Sequence, residues 1–176
     1  FGPPEWGVSL AIALIWGSSF LWIAIAIDHV SVTVVPLARC AFGVFALALY
    51  PSARRRFRRE HLGRFAVTGL VWMGVPFLLY PVAERTVNTS ITGMINGGLP
   101  VVTTLVTAAF TRRAPSRLRL LAVTVGAVGI AMISLASVED GAGADVGGIL
   151  LLLVALLCYA VAANIARPLQ AAYGAL

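Results

Sequence analysis

Six apolar runs of about 18 to 25 residues follow one another along this chain, separated by short breaks that carry charge, glycine or proline. No other feature constrains the fold so strongly. A helix rises about 1.5 Å per residue, so each run reaches across a hydrocarbon core of roughly 30 Å. The runs are read as spans over residues 6–27, 33–50, 65–83, 90–110, 118–137 and 146–166. The fold class expected is therefore all-α, a polytopic transmembrane bundle of about six spanning helices. Composition leaves little room for the soluble alternative. With 60% hydrophobic and 11% charged residues and a mean hydropathy of +0.94, the chain lacks the polar surface a soluble domain of this length needs. The first run has no basic segment before it, which fits a retained helix better than a cleaved leader.

Charge then orients the spans. Eleven of the thirteen arginines fall on alternate breaks: Arg54, Arg55, Arg56, Arg58, Arg59 and Arg64 after the second span, Arg112, Arg113, Arg117 and Arg119 after the fourth, and Arg167 after the sixth. The intervening breaks carry Asp28, Glu84 with Arg85, then Glu139, Asp140 and Asp145. Such alternation is what the positive-inside rule produces. It predicts a multi-pass protein of the inner or plasma membrane with a cytoplasmic amino terminus. The basic run 54–64 needs no role beyond anchoring to anionic headgroups, and it lacks the aromatic platform of a nucleic-acid surface, so no nucleic-acid partner is expected.

Several chemistries are excluded. There is no lysine, hence no Walker A loop and no Schiff-base lysine. His29 and His61 lie in breaks on opposite sides, so no metal site and no cofactor are expected. Gly17-Ser18-Ser19-Phe20 lacks the spacing of a nucleophile elbow, and no span holds a histidine for a serine protease; the chain is not read as an enzyme. Asn88-Thr89-Ser90 matches a glycosylation acceptor but hugs the membrane. Cys40 and Cys158 fall inside apolar runs and are read as small buried hydrophobes. No carboxylate lies deep in a span, so proton coupling through this chain would use Asp28 or Glu84.

What the spans do contain is helix-breaking residues at membrane depth. Span three carries Gly74, Pro76 and Pro81; span four carries Gly93, Gly97, Gly98 and Pro100. A proline leaves a carbonyl that lipid cannot satisfy, so such positions face protein or a wet cavity. Gly93 and Gly97 form a small-xxx-small pair suited to close helix approach. On one face of span four, at 100° per residue, Thr92, Asn96, Thr103 and Thr107 form a polar stripe, read as a cavity wall. Arg39, about six residues into span two, is costly unless it snorkels or holds a partner.

At these residues the sequence resembles the EamA-like branch of the drug/metabolite transporter (DMT) superfamily. The resemblance rests on Trp16-Gly17-Ser18-Ser19-Phe20, on Pro36-Leu37-Ala38-Arg39, on Asn96-Gly97-Gly98-Leu99-Pro100 and on the Gly126-x-x-Gly129 spacing. It implies ten helices in two inverted five-helix repeats around a central cavity. Residues 1–137 are then the first repeat, and 138–176 an outer loop with the first helix of a second, truncated repeat. Cys158-Tyr159-Ala160 echoes Ile15-Trp16-Gly17 in that sense. The family often has an acidic residue after its fourth helix, where this chain has Arg112-Arg113.

The function expected is secondary transport, in the exporting direction, of small metabolites or drugs by alternating access. Trp16, Ser19, Arg39, Asn96 and Thr103 are the candidate substrate-cavity residues, and Pro76, Gly93, Gly97 and Pro100 the candidate helix-break or packing residues. The partners are a small-molecule substrate and the lipid bilayer, with homodimerisation left open. The alternative is a non-transporting membrane scaffold or assembly subunit, which would pack the face formed by 92–107 dry. A small four-helix multidrug exporter is disfavoured by six spans and by the lack of a carboxylate in the first.

Overall fold

A computed structural model describes residues 2–51, 58–139 and 145–174 of the chain. Arg54, Arg55, Arg56 and Asp140 lie outside them, as does the centre of the break between the fifth and sixth spans. Every regular element among the described residues is helical. The first rod is α1, Pro3–Ile27, opened by prolines whose missing N–H costs nothing in a first turn. The second is α2, Val34–Ala48. It is shorter than the sequence suggests, spanning about 22 Å against a core of about 30 Å.

The third rod is composite: a 3-10 turn at Arg59–His61, α3 at Leu62–Gly69, a π turn at Leu70–Gly74 and α4 at Val75–Ala83. The fourth is also interrupted. It consists of α5, Thr89–Asn96, capped by the Asn88 side chain accepting from the Ser90 N–H at 2.9 Å, and α6, Leu99–Thr111. Arg112, with φ 51°, closes α6 in the left-handed conformation before Pro115 prevents continuation. The fifth rod is α7, Arg117–Glu139, and the sixth α8, Val146–Tyr173, capped by Asp145 accepting from the Gly148 N–H at 3.1 Å. Four rods, Pro4–Ile27, Arg59–Ala83, Thr89–Thr111 and Val146–Tyr173, are long and apolar enough to cross a membrane, and Val34–Ala48 is a shorter apolar helix. The architecture is a polytopic helical bundle.

α8 is the central post, packed chiefly on α4 and α6. Its Leu152, Ala155, Leu156 and Ala160 are fully enclosed, and the first three, with Phe20, Ile23, Tyr80, Ala83, Ile91 and Ile95, build the core between α1, α4 and α5. Gly148 sets how closely α8 meets the turn after α4, because a Cβ there would strike the Val87 and Thr86 side chains. Outward, Trp6, Leu10, Leu14, Phe42, Phe45, Leu118, Leu121 and Val125 are exposed. In water this inversion would be prohibitive, whereas hydrocarbon accepts it without cost. Cys40 shares that exposed surface and Cys158 is half-buried, so Cys40 is not the buried hydrophobe read from the sequence; both thiols are free.

Candidate functional site

The site begins with missing N–H groups. Pro76, Pro81, Pro100 and Pro168 stand four residues after Trp72, Phe77, Asn96 and Asn164, so none can donate to those carbonyls along the helix. Span three absorbs the first of these prolines with the π turn at Leu70–Gly74, and span four opens at Gly97–Gly98 just before Pro100. The three residues Trp72, Phe77 and Asn96 line one cavity. A proline of this kind frees a carbonyl that lipid cannot satisfy, so the residue four before it suits a face turned to protein or water.

The cavity has a volume of about 170 Å³ and lies between α1, α2, the π turn with α4, the α5–α6 junction and α8. All five candidate residues border it: Trp16, Ser19, Arg39, Asn96 and Thr103. Trp16 is on its exposed side, and the Ser19 hydroxyl donates to the Trp16 carbonyl at 2.7 Å. Asn96 is held by the Tyr80 hydroxyl, which donates to its Oδ1 at 2.6 Å, leaving the amide donors available. The Arg39 guanidinium lies 4.3 Å from the centre of the Phe77 ring, a cation–π contact that faces it into the bundle rather than towards headgroups.

Other sequence expectations resolve differently. Thr92 is fully buried and its hydroxyl donates to the Asn88 carbonyl at 3.3 Å, so it belongs to the packed core and not to a cavity wall. The break at Gly97–Gly98 interrupts the 100° phase that would have kept it in line with Thr103. Gly93 faces Phe20 of α1 at ordinary contact distance, while Gly97 meets only its own helix; the tight contacts are at Gly126, against Val101, and at Gly148. Pro76 and Pro100 start the second half of each interrupted rod. The aromatic lining was missed: Phe20, Trp72, Phe77, Tyr80 and Tyr159 all border the cavity, with Tyr80 between the Phe20 and Tyr159 rings at 5.4 and 6.1 Å. The prolines four residues after Trp72 and Phe77 were the available signal.

Thr103 also borders a second, wider cavity of about 680 Å³ at the end of the bundle that carries most of the arginines. Thr104, Thr107, Thr111, Ser116, Arg113, Arg119 and Arg167 line it. Between the α6 and α8 walls runs a polar clamp: Thr107 donates to Asn164 Oδ1 at 3.1 Å, Arg167 donates to Thr107 at 3.3 Å, and Asn164 donates to the Ala160 carbonyl at 2.8 Å. Asn164, a lone amide in a long apolar run, is a buried polar residue the sequence reading passed over.

At the opposite end, just beyond Ala83, Glu84 is only 9% exposed and neither carboxyl oxygen has a hydrogen-bond partner among the described residues. Burial pushes its carboxyl up to about 8, with the Arg39 charge pulling the other way. Asp28, its counterpart after α1, is exposed.

Among the described residues no three His, Cys, Asp or Glu side chains gather to hold a metal ion. No curated protein and no solved structure matches the chain. Residues 6–135 match the family model described as the EamA-like transporter family.

Proposed function

The chain belongs to the EamA-like transporter family, and on that premise we propose that the aromatic cavity receives the transported molecule. The chain acts as part of a secondary carrier for a small polar or amphipathic metabolite or drug. Residues 1–137 form one five-helix repeat, α8 opens a second, and alternating access exposes the cavity to each side in turn. The observation that carries this reading is the convergence of Trp16, Ser19, Arg39, Asn96 and Thr103 on one cavity. Aromatic walls receive an apolar body, the Asn96 amide and the Ser19 and Thr103 hydroxyls orient polar groups, and Arg39 pairs with an anionic group. The arginine alternation supports a cytoplasmic amino terminus in a plasma or inner membrane.

Hydration tests it against a dry scaffold. With Cys40 and Cys158 replaced by alanine, Thr103→Cys and Ser19→Cys should react with a membrane-impermeant thiol reagent in membrane vesicles. Ile95→Cys, at 1% exposure, should stay unreactive. Silence at Thr103 and Ser19 alongside full membrane abundance means a dry face and sinks the carrier reading.

A further inference from the structure

The two carboxylates at the mouths of the first and third spans look equivalent in sequence and are not equivalent in space. Asp28 is exposed to whatever bathes that end of the bundle. Glu84 is enclosed, with both oxygens unpartnered among the described residues. It stands one helical turn beyond Tyr80, so it shares the face of α4 that lines the cavity. An ionised carboxylate cannot remain in such a place without a counter-charge or donors.

Among the described residues the charged and titratable groups around it are few. From α2 comes Arg39, whose field reaches Glu84 although the two form no ion pair within 4.0 Å. On the same helix stands Tyr80, its proton committed to Asn96. From α8 come Tyr159, packed on Tyr80, and Asp145, whose carboxylate is engaged by the Gly148 N–H. Neighbouring Arg85 is exposed, and neither α1 from residue 6 to 27 nor the π turn contains a titratable side chain. Among the described residues Arg39 is therefore the cation within reach of Glu84, and it is also the cation that lines the cavity.

We propose that Glu84 is a proton-binding site whose charge is read by Arg39. With Glu84 protonated, Arg39 rests on Phe77 and is free to pair with an anionic group in the cavity. When the proton leaves for solvent, the carboxylate claims the guanidinium. Both arrangements keep the pocket near neutrality: arginine with a ligand anion beside a neutral acid, or arginine with the carboxylate. Proton and anion thus favour each other's binding, and the linkage is reciprocal. The anion half of this rests on the carrier reading above; the proton half does not.

The test needs no substrate. Infrared difference spectra of the chain in lipid nanodiscs, recorded through a pH titration, report the protonated carboxyl stretch directly. A band that persists through neutral pH and disappears on alkalinisation is expected, absent in Glu84→Gln and shifted in frequency but still titrating in Glu84→Asp. Arg39→Gln should tighten proton binding about tenfold, moving the midpoint up by about one pH unit, while Arg39→Lys stays near the parent value. Titration of Glu84 wholly in the ordinary carboxylic range, or an unmoved midpoint in Arg39→Gln, overturns the proposal. Unreactive Thr103→Cys with the infrared band intact would instead remove the carrier reading and leave the proton site standing.

Discussion

The two cavities that meet at Thr103 are built on opposite principles. The one between α1, α2, α4 and α8 is small, about 170 Å³, walled by aromatic rings, and holds a single arginine pinned to a ring face. The one at the arginine-rich end, at about 680 Å³, is far larger, walled by threonines, and carries Arg113, Arg119 and Arg167. Enclosure strengthens each polar contact, because little water competes for it. In a wide polar space water replaces lost bonds cheaply, and charge acts through its field rather than through fixed pairs. The first region is suited to grip a molecule and the second to gather anions.

Three measurements put that contrast to the test. The largest effect should come from Asn96→Leu, which removes the acceptor of the Tyr80 hydroxyl inside the small cavity. Stranding that buried group should cost about 1–3 kcal/mol of stability. The cost should be seen as an earlier unfolding transition in detergent, and Asn96→Leu combined with Tyr80→Phe should recover most of it. No recovery in the double variant means the pair does not act as a unit. Next in size is a field effect in the large cavity. At low salt, a cysteine at Thr111 should react about tenfold faster with an anionic thiol reagent than with a cationic one, and salt should erase most of the preference. Equal rates would leave the three arginines without a collective field. Smallest is Thr107→Val, which breaks the clamp to Asn164 and Arg167. Solvent can refill that position, so a loss of about 0.5–1 kcal/mol is expected in the same unfolding assay. A cost matching that of Asn96→Leu would erase the distinction between the two sites.

The helical rods were legible because length and hydropathy alone dictate them. The interruptions were legible too, since proline at residues 76 and 100 cannot complete a helical ladder. Pairings across the bundle were not. Tyr80 meets Asn96 only once α4 and α5 are both packed on α8, and neither residue's neighbours in sequence signal the other. Thr92 illustrates how a local rule fails: its phase with Thr103 assumes an unbroken helix, and the break at Gly97–Gly98 turns it into the core. Glu84 and Asp28 show the same limit from another side. Each ends an apolar run, and nothing beside them in sequence says that the turn at residues 83–87 meets Gly148 of α8 with Glu84 buried while Asp28 stays exposed.

The prolines have a mechanical consequence as well. A helix stripped of a ladder bond bends at low elastic cost, whereas an intact one resists. Span three is weakened at Pro76 and Pro81 and span four at Pro100, all beside the same hollow, while α1 runs unbroken beyond its opening turn. Three of the four sections weakened in this way therefore lie beside that hollow, Pro168 of α8 being the exception. A load applied at either end is converted into a change of shape around the cavity rather than into sliding of whole rods.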